Sequence, residues 1–215
     1  MYELDFFAVG EGERSGDAIA LRYTIPGRTE PVVGIIDAGF LPNGEMLVEH
    51  IPRYYGTKQV DFVLSTHPDE DHINGMGVVV RELDVQCLLI HRPGLHGYNS
   101  NSGSKPAEDL VKLAEAKGAS VVQPFTGVDR YGGSFMIAGP TESFYKATLA
   151  EQTTTTKATA RVTLAQRFGA PLLKAARRHL ESFPVEVNFG DSGGTNPRNN
   201  SSAILRNRPK TLYAA

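Results

Sequence analysis

One short stretch limits what this chain can fold into: residues 61–77, Asp-Phe-Val-Leu-Ser-Thr-His-Pro-Asp-Glu-Asp-His-Ile-Asn-Gly-Met-Gly. Val60 to Leu64 is an apolar run rich in β-branched and aromatic side chains, the signature of a buried strand. The chain leaves it through Ser65 and Thr66 into His67-Pro68-Asp69-Glu70-Asp71-His72, which brings two imidazoles and three carboxylates together. Burying such charges unpaired costs several kcal/mol. A divalent cation resolves the conflict. His67 and Asp69 can converge on one ion and Asp71 and His72 on a second, with about 3.5–4 Å between the ions as in two-metal hydrolases. The plainer alternative is a carboxylate capping the following helix, with both histidines in solvent. That explains one aspartate and leaves the rest of the set without a reason.

Thr66-His67-Pro68-Asp69-Glu70-Asp71-His72 resembles the metal-binding motif of the metallo-β-lactamase fold, usually His-x-His-x-Asp-His, with Asp69 in place of the second histidine. That substitution resembles the branch of ComEC-type DNA-uptake proteins. Three stretches point the same way. Val9-Gly10-Glu11-Gly12 with Gly16-Asp17-Ala18-Ile19 is similar to its "VGQGDA" turn, interrupted by Glu13-Arg14-Ser15. Ile35-Ile36-Asp37-Ala38-Gly39 is similar to its "IDxG" strand end, and Asn199-Asn200-Ser201-Ser202-Ala203-Ile204-Leu205 to its "NNxSLVL" strand entry.

The resemblance implies an α+β fold, an αββα sandwich of two similar sheet-plus-helix halves with the site between them. It implies a hydrolase acting through metal-activated water, with His67, Asp69, Asp71 and His72 as ligands and Asp71 and His67 as the catalytic pair. It also puts Asn200 near the metals as a weak oxygen ligand, and implies a phosphodiester substrate such as single-stranded DNA. With oxygen replacing nitrogen at Asp69 the site is harder, so manganese or magnesium competes with zinc, for one or two ions. The family's later motifs, like "TGD" and "HHGS", do not occur after Leu205. On this expectation the second half is incomplete: the sequence is a fragment, or is naturally short, or another chain completes the site. Two rival readings stay open. One is an ester, lactam or peptide hydrolase on the same site. The other is a metal-binding but inactive subunit that serves as an interaction module.

At 215 residues a single domain is expected over 1–215, with a helical insertion at about 142–183. The net charge of −2 gives no overall electrostatic footprint for nucleic acid. The one cysteine, Cys87, lies in an apolar run and excludes an intramolecular disulfide. No stretch reaches the ~18 apolar residues of a membrane span, and the start has no signal-peptide pattern, so the cytoplasm is the default expectation.

Along the chain, residues 2–9, 18–25 and 32–36 read as an antiparallel meander ending at Asp37. Asp37 either holds the metal loop by hydrogen bonding or is a plain turn residue. Residues 44–55 have a weak helical pattern broken by Pro52, with His50 on its surface. Ile73–Leu83 is expected to be one helix, 85–90 a strand, and 91–99 a loop whose side chains either face substrate, with Arg92 as the anion contact, or are solvated, the reading favoured for His91 and His96. Pro106–Lys117 has a clear apolar face of Leu110, Leu113 and Ala114. Strands at 119–123 and 134–138 and a helix at 142–150 follow, then a loop at Thr153–Thr156. Leu164, Phe168, Leu172, Ala176, Leu180 and Phe183 mark a broken amphipathic segment, either core-packed or a docking hairpin. Residues 185–189 and 202–206 complete the strands.

Overall fold

The computed structural model describes residues 1–10, 16–98, 104–155 and 204–207. Strands β1 (Tyr2–Phe6), β2 (Ala18–Tyr23) and β3 (Val32–Ala38) form the expected antiparallel meander. Helices and strands then alternate. α1 (Leu41–His50) leads to β4 (Gln59–Val60) and β5 (Phe62–Leu64). α2 (Glu70–Ile73) and α3 (Met76–Glu82) lead to β6 (Asp84–Val85) and β7 (Cys87–Leu89), and α4 (Ser104–Ala116) leads to β8 (Ser120–Val122). The result is a six-stranded mixed sheet in the order β1-β2-β3-β5-β7-β8, parallel from β3 onward. β4 and β6 pair beside it as a small parallel ladder. A parallel join needs a crossover, which the helices supply.

Both faces of the sheet's inner strands β2, β3, β5 and β7 are buried, and alternate residues serve different cores. Ala20, Val33, Ile35, Val63 and Leu88 face a cluster with Leu47, Ile51, Met76, Val79, Val80 and Leu110, the helical layer. Leu21, Val32, Phe62, Leu64 and Leu89 face the opposite way, onto Phe135 and Ile137. Those two belong to a second antiparallel sheet of β9 (Asp129–Arg130), β10 (Phe135–Gly139) and β11 (Ile204–Asn207). α5 (Glu142–Thr155) follows β10. The described residues therefore stack helices, a mixed sheet and a second sheet, in keeping with the expected α+β layering. No helix among them is long and apolar enough to cross a membrane.

Three local expectations change. Pro52 does not end the first helix: the chain continues as a π-helical turn, Ile51–Tyr55, and stops at Gly56 in the left-handed region. Pro52 stands second in that turn and gives no N–H to the helical ladder there, which is where the α-helical hydrogen-bond pattern changes. The helix expected over Ile73–Leu83 is two, α2 and α3, joined through Asn74 and Gly75. The loop expected at Thr153–Thr156 is helix at Thr153–Thr155, where α5 continues, and Thr156 lies outside the described residues. The amphipathic segment 164–183, the strand at 185–189 and Asn200 lie outside the described residues, as does most of the expected helical insertion.

Candidate metal site

Because β3, β5, β7 and β8 are parallel, their carboxyl ends share one edge, the usual place for a site in such sheets. β3 delivers Asp37 there and β5 delivers Ser65, Thr66 and His67. Asp37 is fully buried and left-handed, at φ 51°, a conformation that aspartate tolerates better than most residues. Its carboxylate organises the loop. Oδ1 accepts the Thr66 N–H at 2.8 Å, and Oδ2 accepts the Thr66 hydroxyl at 2.5 Å. Oδ2 also meets His72 Nδ1 at 2.9 Å. Asp37 is thus a hydrogen-bonded anchor for the loop, not a plain turn residue.

Those bonds assign protons. Asp37 only accepts, so His72 carries its proton on Nδ1. The Thr66 hydroxyl gives its one proton to Asp37, so its 3.0 Å contact with His67 Nδ1 requires Nδ1–H on that ring too. When neutral, both imidazoles therefore turn an Nε2 lone pair the other way. His67 Nε2 lies 3.8 Å from Asp69 Oδ2, and His72 Nε2 lies 3.8 Å from Asp71 Oδ2. The two rings are 4.0 Å apart. Metal bonds of about 2.0–2.2 Å leave ligand atoms roughly 3–4 Å apart, so each pair can share an ion.

Charge follows burial. Burial pushes the Asp37 carboxyl up, and the bonds from His72 and Thr66 work against that. His67 is lowered by burial and by the neighbouring His72 charge. Burial also works against charge on His72, but the bond and charge of Asp37 outweigh it and raise the imidazole.

Sequence reasoning missed two contributors. Thr66 was legible only as a hydroxyl next to His67. Asp17 sits in the turn before β2, its Oδ2 3.9 Å from His72 Nδ1. Among the described residues, Asp17, Asp37 and His72 are the one set of three metal-capable side chains with all ligand atoms within 4.8 Å. An ion there would have to displace the Asp37–His72 bond. Gly16 is what lets this turn approach: a Cβ there would collide with the Asp71 carbonyl.

Other expected site residues lie elsewhere. Arg92 is held by Glu108 in a two-pronged ion pair at 2.6 and 3.0 Å, so an anion would have to compete for it. His91 and His96 are not solvated: His91 is 2% exposed and the His96 side chain 6%. Aromatic packing on Phe125 and Tyr145 buries them. His50 is not a simple surface residue either, since it bonds Asp5 Oδ2 at 2.9 Å beside Tyr55.

No family model matches the chain, and neither does any curated protein. Solved structures do. The chain is similar to a candidate metallo-beta-lactamase from Thermotoga maritima, at 14% identity and TM-score 0.42 over 63% of this chain and 65% of that one. It is similar to a metallo-beta-lactamase from Cronobacter sakazakii (13%, TM-score 0.37, 62% and 48%). It is also similar to one from Novosphingobium pentaromativorans (16%, TM-score 0.37, 61% and 46%). The chain thus spans roughly half to two thirds of the length of these structures.

Proposed function

We propose that this chain is a metal-dependent hydrolase whose ions are held by His67 with Asp69 and by His72 with Asp71. The observation that carries this reading is the common anchor: one buried carboxylate, Asp37, orients both imidazoles so that each Nε2 faces an aspartate at 3.8 Å. When bound, a divalent ion at such a site lowers the pKa of its water toward about 7 and so supplies a nucleophile at neutral pH. The chain's own residues do the rest. Asp37 and Thr66 keep both Nδ1 atoms protonated. Asp71, partly exposed, is placed to orient a water or accept its proton. The carboxylate share of the donor set favours manganese or magnesium alongside zinc.

For substrate, the proposal is a phosphodiester, single-stranded DNA included. It is supported by the sequence resemblance to the DNA-uptake branch and by these hard oxygen donors. The test is hydrolysis of bis(p-nitrophenyl) phosphate and labelled single-stranded DNA against p-nitrophenyl acetate, with zinc or manganese added. Phosphodiester turnover that His67→Ala abolishes, with the circular dichroism spectrum unchanged, supports the reading. Ester turnover alone moves the substrate class. Metal binding without any turnover favours the interaction-module alternative.

A further inference from the structure

One buried group serves neither the hydrogen bonding of the fold nor the metal loop. His91 follows the end of β7, is 2% exposed, and has no hydrogen-bond partner at Nδ1 or Nε2. Its ring stacks on Tyr145 of α5, with centroids 4.4 Å apart and planes at 20°, and Phe125 lies 5.0 Å away. Tyr145 is itself buried, so α5 sits on this imidazole. Two unsatisfied ring nitrogens are a standing cost that a phenyl ring of similar shape would not carry. Packing alone therefore gives no reason for histidine here.

We propose that His91 is an acid-sensitive latch: neutral, it seats α5 at the carboxyl edge of the sheet, one strand over from the metal loop, and protonated, it releases α5. The surroundings dictate the direction. The turn Pro93–His96 contributes His96, whose Nε2 meets Gln123 Oε1 at 2.9 Å and whose Nδ1 is 4.0 Å from Glu142 Oε1. α5 contributes Glu142 and Lys146, paired at 2.7 Å, and Tyr145. The segment after β8 contributes the neutral Gln123 and Phe125. The one charged group acting on His91 is His96, which opposes its protonation. No carboxylate is there to receive a proton-bearing His91, so an imidazolium must part from Tyr145 to reach water. His96 differs in its surroundings: it faces Glu142 across 4.0 Å and Gln123 at 2.9 Å.

Burial pushes His91 down to about 3, from an ordinary value of about 6.5. A histidine lowered in the closed state leaves that state intact above the ordinary value and opens it progressively as pH falls toward the lowered one. Between pH 7.5 and pH 5 the open fraction should rise roughly 30-fold.

Hydrogen exchange of the full chain, corrected for the intrinsic pH effect, tests this without reference to metal or activity. The expected result is a roughly 30-fold loss of protection in residues 142–150 between pH 7.5 and pH 5, with α3 far less affected. In His91→Phe that loss should vanish. If His91→Phe does not fold, His91→Gln, uncharged at both pH values, is read the same way. Protection of 142–150 that ignores pH in the native chain, or falls equally in the variant, overturns the latch.

Discussion

Thr66 shows how much one hydroxyl can decide. It is the link through which Asp37 reaches His67, donating to the carboxylate at 2.5 Å and meeting His67 Nδ1 at 3.0 Å. Serine keeps the donor and the acceptor; valine keeps the shape and removes both. Loss of an outer hydrogen-bond partner to a metal-binding histidine commonly costs 10–100-fold in metal affinity. Thr66→Val should therefore weaken zinc or manganese binding by about that factor in calorimetric titration, and Thr66→Ser should stay within a few-fold of the native chain. Equal affinity in all three would mean that His67 is not oriented through this link.

At the level of elements, the loop depends on how closely α1 and α3 approach. Gly44 inside α1 and Gly75 before α3 lie backbone to backbone: a Cβ on Gly44 would collide with the Gly75 carbonyl, and one on Gly75 with the Ala38 carbonyl. Gly75 N–H also donates to the Gly39 carbonyl at 2.9 Å, tying α2 and its histidine to the end of β3. Alanine for glycine inside a helix normally stabilises by about 0.5–1 kcal/mol. Here Gly44→Ala should instead destabilise by about 1–3 kcal/mol, measured by urea unfolding, because the backbones must separate. This contact also shows what a sequence conceals. The strands, the apolar face of α4 and the clustering of histidines and carboxylates at the end of β5 were legible because each is a local pattern of two-residue or 3.6-residue period, or a run of neighbouring residues. Gly44 against Gly75, Gly16 against Asp71 and Tyr145 on His91 join residues far apart in sequence, with no local pattern to announce them. Hence the helix expected as one became two at Gly75, and the histidines expected in solvent are buried.

For the molecule as a whole, the two site imidazoles link stability to pH in opposite senses. His72 is raised: burial opposes its charge, and Asp37 more than compensates. Its contribution is fully present below the ordinary value near 6.5 and is lost as pH rises through the raised folded-state value. His67 is lowered, first by burial and then by the charge of His72, so its contribution is present above about 6.5 and is lost as pH falls. Without metal, these two groups place the stability maximum near pH 6.5, with losses on both sides. A divalent ion must displace any proton from the atoms that bind it, so affinity climbs with pH where the metal-free protein is already declining. The increase in Tm on adding saturating manganese or zinc should therefore be larger at pH 8 than at pH 6, with affinity at least about 10-fold tighter at the higher pH. His72→Gln, which has no titrating ring, should flatten most of that difference. Equal Tm shifts at both pH values would mean that the ion does not compete with protons for these imidazoles, and would move the metal site away from His67 and His72.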